Sequence, residues 1–386
     1  MNSLSQPMEK RAMHEIRRRI LTPAALALAG LTGLMAMPAR AQSFLAVSEV
    51  TAGNSGQVQI FGLTSTGMLA SPTPVATISG IQGNASLANP FGLAFDGSQN
   101  LYIASLGSNQ ILDYNLAKSS LSVFANIAGG GAYPNSIAIS GTEMYVTVNQ
   151  GQNTPFGGVQ AYNLTTAKLD ATYVSTNILA PAPTGLAVDS SGKVYVSSSQ
   201  SNAIYTLGTV TNPFIPFSAT NGVPLGAAAG MSFGTIPGGT FLFASDFRTP
   251  SGQSGPGVTT LTSTGSLAAY SPLGGFSNPN AAAGDALQIY AQNGDQATPI
   301  TTMLVSDYAD GTINSYFIGP AGALDPTPTT FLSLGAGTAP AYMTEFTAAG
   351  GFSSVPEPSS VALLGLGLAG LYAYRRNRLR ARHDAA

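Results

Sequence analysis

Apolar and polar residues alternate along the chain in short runs, and the runs recur. PFGLAFDGSQNLYIASLGSNQI (90–111) aligns without gaps to PTGLAVDSSGKVYVSSSQSNAI (183–204), with eleven of 22 positions identical. Looser copies start at Pro134, Pro224, Pro279 and Pro340, so successive starts lie 44, 49, 41, 55 and 61 residues apart. Behind each comes a second element, a polar or glycine turn followed by an alternating run rich in Val, Ile, Tyr and Phe. Its copies are GQVQIFGL (56–63), NQILDYNL (109–116), GGVQAYNL (157–164), NAIYTLGT (202–209), GVTTLTSTG (257–265) and GTINSYFIG (311–319). A third element is a turn that closes the unit: TSTGML (64–69), TSTGSL (262–267) and GPAGAL (319–324). Period-two alternation with β-branched and aromatic residues predicts strands. Each unit therefore reads as four strands joined by turns, the period of a propeller blade.

The first-strand element occurs six times, and its last copy, at Pro340, has no partners behind it. The N-terminal segment SFLAVSEV (43–50), with GQVQIFGL and TSTGML, has the opposite defect: later strands without a first one. Joining 340–347 to 43–78 completes a sixth blade and removes the open sheet edges. The predicted fold is an all-β, six-bladed β-propeller closed by pairing of its N- and C-terminal strands.

The units 90–111 and 183–204 resemble the NHL repeat, whose pattern runs Pro-x-Gly-hydrophobic-Ala-hydrophobic-Asp, then a Tyr-Val strand, then Asn-x-Ile. Two of the six blades match well. The resemblance implies an NHL/SMP-30-like propeller. It fixes no activity, because propellers host enzymes and binding modules alike.

Composition narrows the chemistry. Cysteine is absent, which excludes disulfides, thiolate nucleophiles and Cys-ligated zinc. The two histidines, His14 and His383, lie near the ends, so a body spanning 42–354 has no imidazole for a Ser-His-Asp triad or a His-ligated metal. Lys and Arg also gather at the ends. Between Gln42 and Ser354 only Lys118, Lys168, Lys193 and Arg248 face thirteen carboxylates, a formal charge of −9. Such a body repels phosphate backbones and argues against nucleic-acid binding.

Both ends read as addresses. Residues 1–41 form a secretory signal peptide: Arg17, Arg18 and Arg19, an apolar run from Ile20 to Met37, and the small-x-small pattern Ala39-Arg40-Ala41 with cleavage before Gln42. The general secretory route, with its translocon and signal peptidase, fits better than a twin-arginine route, whose flanking residues are missing. At the other end, Pro356, Glu357 and Pro358 precede an uncharged run from Ser359 to Tyr374, then Arg375, Arg376, Arg378, Arg380 and Arg382. The run predicts a C-terminal transmembrane helix, short beside the roughly 20 residues of a full span, with the arginines holding its end in the cytoplasm. This three-part tail, 355–386, resembles the PEP-CTERM sorting signal of Gram-negative bacteria. The resemblance implies recognition by an exosortase, transient anchoring in the inner membrane, and a destination at the cell surface or in an extracellular matrix, often with exopolysaccharide and biofilm.

Within the body, three strings place an acid at the end of a second strand: AVSEV (46–50), FASDF (243–247) and LVSDY (304–308). Numbering the closing blade as one, these belong to blades one, five and six, which are neighbours in the ring. Glu49, Asp246 and Asp307 form a candidate metal site on one face; oxygen-only ligands suit Ca²⁺ or Mg²⁺. The alternative is that these acids accept backbone N–H groups in the turns that follow. Asp96 and Asp189, in FDGSQ and VDSSG, read as turn residues. DYADG (307–311) has a weak likeness to a calcium loop, without the distant Glu of an EF-hand. Tyr102, Tyr145 and Tyr195 recur at one repeat position and read as packing between blades. The loop 248–257 is a long insertion in blade five. No Walker loop is present, and Gly129-Gly130-Gly131 reads as a turn between blades.

No catalytic residue emerges from these patterns. The leading reading is an exported binding or scaffold module meeting polysaccharide or other surface proteins. Two alternatives stand beside it: a divalent-cation-dependent hydrolase, such as a lactonase of the SMP-30-like kind, and a purely structural matrix protein.

Overall fold

A computed structural model describes residues 42–348 except 52–54, 65–66, 128–131, 151–156, 176–179, 218–224, 227, 237, 247–256, 274–282, 291–301, 308–309 and 336–337; for 283–290 it describes the backbone alone. The alternating runs form strands, and the described residues contain no α-helix, only a 3₁₀ turn at Leu106–Ser108.

The chain opens with β1 (Gln42–Thr51), β2 (Ser55–Gly62) and β3 (Ala76–Ser79), then a small hairpin, β4 (Ile81–Gln82) and β5 (Ala85–Ser86). Blade two holds β6 (Pro90–Phe95), β7 (Asn100–Ser105), β8 (Gln110–Asn115) and β9 (Ser120–Asn126). Blade three holds β10 (Ala132–Ser140), β11 (Glu143–Gln150), β12 (Gly158–Asn163) and β13 (Leu169–Val174). Blade four holds β14 (Pro183–Val188), β15 (Val194–Ser198), β16 (Ala203–Thr209) and β17 (Asn212–Pro216). Blade five holds β18 (Ala228–Ile236), β19 (Gly239–Asp246), β20 (Gly257–Thr262) and β21 (Leu267–Pro272). Blade six holds β22 (Ala283–Tyr290), β23 (Thr302–Asp307), β24 (Thr312–Phe317) and β25 (Thr329–Ser333), and the last strand is β26 (Ala339–Ala348).

Six four-stranded antiparallel sheets result, five of them in sequence order. The sixth, blade one, runs β26-β1-β2-β3, with Ala46 opposite Thr344 and Val47 opposite Met343. The first strands β26, β6, β10, β14, β18 and β22 touch in turn around the axis, and β22 touches β26. The expected closure is therefore present, and the fold is a closed six-bladed β-propeller.

Burial follows the pleat. Side chains alternate between the two faces of a sheet, and here both faces are covered. Phe44 and Ala46 of β1 pack toward blade two, while Leu45 and Val47 pack toward blade six. Similar clusters fill the other four blade interfaces. Tyr102 and Tyr195 are buried in two of them and Tyr145 packs on a third, as inter-blade residues should. The turn acids also behave as expected. Asp96 Oδ1 accepts from the amides of Ser98 (2.8 Å) and Gln99 (3.1 Å), and Asp189 Oδ1 accepts from Ser191 N (2.9 Å). Burial acts to raise both carboxyl pKa values, but these turn hydrogen bonds outweigh it and hold them below the ordinary range.

Two repeat boundaries differ from the sequence expectation. Pro90 pairs with Ser105, Pro134 with Val148 and Pro183 with Ser198, but the equivalent partners in blades five and six are Ala228 and Ala283. The prolines at 224 and 279 fall four residues upstream of those positions and lie outside the described residues. Proline is tolerated at the first residue of a strand without being needed there, so it is a poor marker of register.

Candidate functional site

Second strands end on one face of the ring, here called the upper face, and begin on the lower face. Near the upper end of every blade the innermost strand carries a β-bulge against the second strand. Opposite it, five of the six blades place a hydroxyl residue: Ser48, Thr147, Ser197, Ser245 and Ser306, with Ala104 in blade two. A bulge leaves a backbone amide without a ladder partner, and a hydroxyl can accept from that amide while donating elsewhere. The amides of Tyr342, Ser136, Gly185 and Gly230 donate to Ser48, Thr147, Ser197 and Ser245 at 2.9, 2.8, 2.8 and 2.9 Å. Three of these hydroxyls donate onward to the bulge of the next blade, to Phe91 O (2.7 Å), Thr184 O (3.0 Å) and Ala229 O (3.1 Å). The result is a chain of clips that joins blade to blade near the axis. Its signature, V/A-S/T before the strand end, is visible in the sequence once the register is known.

The next position on each second strand carries the candidate acids. Glu49, Asp246 and Asp307 do stand at the upper ends of adjacent blades one, five and six, and all three are buried. Each has a local partner. Asp246 Oδ1 accepts from Gly226 N (2.9 Å) and Oδ2 from Thr259 Oγ1 (2.5 Å). Asp307 Oδ1 accepts from Asp310 N (3.2 Å), and Gly311 takes φ +67°. Glu49 Oε2 accepts from Gln57 Nε2 (3.0 Å), and its Oε1 has no hydrogen-bond partner among the described residues. The same position is serine in blades two and four. There Ser105 Oγ accepts from Ala88 N (2.9 Å) and Ser198 Oγ donates to Pro181 O, both in the segment arriving from the previous blade. Asp246 ties down Gly226 in the same way. Among the described residues no three acidic or histidine side chains are placed to share a metal ion.

Burial pushes the Asp246 carboxyl up to about 7 and raises that of Glu49 as well. Glu345 on β26 is raised to about 7 by burial, and Asp113 to about 6 by burial and then by Asp96. An acid whose folded-state pKa exceeds its unfolded value stays protonated in the fold, so stability is greatest below the unfolded value and falls as pH rises toward the folded one. The melting temperature should therefore decline between about pH 4 and pH 7 and level off above. Asp246→Asn should flatten that decline in a series of thermal melts across pH. A wild-type melting temperature that rises over this window would contradict the buried-acid assignment.

The axis itself is occupied. Tyr342 of blade one reaches across to blade four, where its hydroxyl lies 3.5 Å from Thr184 O, and its ring centroid stands 6.3 Å from that of Phe91. This side chain lies across the channel below the upper mouth.

The fold and its closure define the class as a six-bladed β-propeller. Among solved structures, the chain is similar to a catalytically inactive virginiamycin B lyase from Staphylococcus aureus, with 11% identity, a TM-score of 0.50, and coverage of 81% of this chain and 94% of that one. It is also similar to the periplasmic gluconolactonase of Pseudomonas aeruginosa, with 12% identity, a TM-score of 0.48, and coverage of 79% and 99%. At such identities the likeness speaks for the fold alone. No curated protein matches the chain. The family match lies in the tail: the PEP-CTERM protein-sorting motif covers residues 354–378. The chain is thus a β-propeller carrying a PEP-CTERM sorting signal, which implies exosortase processing, export and a cell-envelope location.

The motif residues Pro356, Glu357, Pro358, Arg375, Arg376 and Arg378 lie outside the described residues, as do Ala39 and Ala41, the predicted C-terminal helix, the loop 248–256 and Gly129–Gly131. Gln42, the first residue after the predicted cleavage, begins β1 opposite Ala348. No helix among the described residues is long and apolar enough to cross a membrane.

Proposed function

We propose that this protein is an exported propeller, delivered to the cell envelope or extracellular matrix, that acts as a binding or scaffold module. The signal peptide 1–41 takes it to the translocon and signal peptidase. The body 42–354 is the functional domain. The tail 355–386 anchors it in the inner membrane by the apolar run 359–374 until exosortase acts, and its partners at the surface are exopolysaccharide or other surface proteins of a biofilm. The observation that carries this reading is the PEP-CTERM motif at 354–378, a few residues behind the strand that closes the ring. The absence of Cys, and of His between Gln42 and Ser354, supports a non-enzymatic role.

The test is sorting. In a host with an exosortase, the chain with Pro356, Glu357 and Pro358 all replaced by Ala should remain in the membrane fraction with its tail uncut, while the native chain appears at the surface in shortened form. Equal surface delivery of both, read by protease shaving of intact cells, would remove the basis of the reading.

A further inference from the structure

We infer that, while the tail still anchors the chain, the lower face of the propeller lies against the lipid surface and the upper face points away from it. This rests on the anchoring proposed above and adds an orientation and a contact surface to it.

The first argument is where the chain leaves the fold. β26 is the innermost strand of blade one, and its last residue, Ala348, pairs with Gln42 at the lower end. Ten residues, 349–358, separate it from Ser359, where the apolar run begins. Eleven Cα steps span at most about 39 Å when fully extended. To pass round the rim to the upper face, the tail would cross a four-strand blade, about 14 Å wide, and then climb a strand of roughly 20 Å, which would use nearly all of that reach. The direct way through the channel is barred by Tyr342. The short path from Ala348 to the bilayer therefore runs from the lower face.

The second argument is independent of the tail. Six of the ten large apolar side chains that stand exposed, Met68, Val75, Leu169, Val210, Leu267 and Phe317, lie at the third-to-fourth-strand connections, all at least 41% exposed. Those connections are at the lower rim, and every blade but the second contributes. Two of these residues, Met68 and Leu267, belong to the TSTGML and TSTGSL turns that repeat in the sequence. A groove of about 270 Å³ opens on the same rim beside Met68, lined also by Leu69, Thr302 and Phe331. Apolar side chains ringing one face suit the headgroup boundary of a bilayer, where each buries a few ångströms deep. The three lysines of the body, Lys118, Lys168 and Lys193, are exposed in lower-face turns as well, where they can reach lipid phosphates. Asp96, Glu143, Asp170, Asp189 and Asp325 share that face, so its net charge is negative. The contact is therefore apolar in origin and should survive high salt.

The native chain lacks cysteine, so single labels are unambiguous. Full-length Ser190→Cys (lower face) and Gln200→Cys (upper face), both in blade four, would carry a fluorophore. Each is reconstituted into phosphatidylcholine vesicles doped with a nitroxide-headgroup lipid. The label at 190 should be quenched several-fold more than that at 200, in low and high salt alike. Combining Met68→Ser, Leu267→Ser and Phe317→Ser, all exposed positions, should reduce quenching at 190 without changing the melting temperature. Equal quenching at both positions in vesicles that carry the protein overturns the orientation. Quenching at 190 unchanged by the triple replacement overturns the apolar contact. A chain that fails to float with vesicles overturns the anchoring itself, a separate outcome.

Discussion

Ending the chain at Thr338 should abolish cooperative folding. The truncation removes β26, and with it the inner edge partner of β1 along its whole length. Phe346 leaves the interface with blade two and Met343 leaves that with blade six, so blade one loses packing on both sides at once. Ser48 loses the Tyr342 amide, and the cross-channel contact to Thr184 disappears. A propeller is stable because no sheet edge faces the axis unsupported. Without β26 one blade is a three-stranded sheet with an apolar inner edge open to solvent, a template for aggregation. The expected result is the absence of a sigmoidal thermal transition by circular dichroism and elution as large species. A control ending at Ser354 retains β26 and should melt like the full chain. If the shorter chain melts cooperatively at the control's temperature, the ring is not sealed by this strand.

The second large effect is predicted for Gly185→Ala. Gly185 sits in the bulge of β14, and an added Cβ would collide with Ala229 O of the next blade and approach Ser197 Oγ to 2.9 Å. The carbonyl belongs to backbone that the Ser197 clip holds in place, so the clash cannot be relieved by a side-chain rotation. Overpacking of a rigid site costs about 3 kcal/mol, enough to lower the midpoint of urea unfolding clearly. Gly92 has the same environment in blade two, with Ser136 Cα of blade three 2.7 Å from the position of its missing Cβ. Gly97→Ala provides the contrast. Gly97 has φ +78° and nothing within 4 Å, so its replacement should cost only the backbone penalty of about 1 kcal/mol. A Gly185→Ala loss no larger than that of Gly97→Ala would show that the blades can move apart at this point.

These two predictions separate what was legible in the residues from what was not. The Pro-x-Gly motif announced a repeat, but not why the glycine is there; the reason is a carbonyl of the neighbouring blade, some forty residues away in the chain. The repeat places the acids at 49, 246 and 307 on adjacent blades, where the structure also has them. Their side chains, however, serve local contacts, and the serines at the same position in blades two and four make the parallel clear. A list of acids cannot distinguish a shared ligand sphere from a set of tied-down loops, because that depends on where each carboxylate turns. The hydroxyl clips are hidden for a related cause. Serine and threonine are common in this chain, and only the bulge opposite them marks out the four that accept its amide.

The amino-acid sequence by itself determined the strand pattern, the six-fold repeat, the closure between its two ends and the sorting tail, because each of these is local or periodic and needs only alternation, turn residues and composition to be read. The tertiary structure decided the register of blades five and six, the clips between blades, the Tyr342 bar across the channel and which apolar residues stand exposed at the third-to-fourth-strand connections. Those are set by contacts between distant segments, whose geometry exists only once the ring has closed.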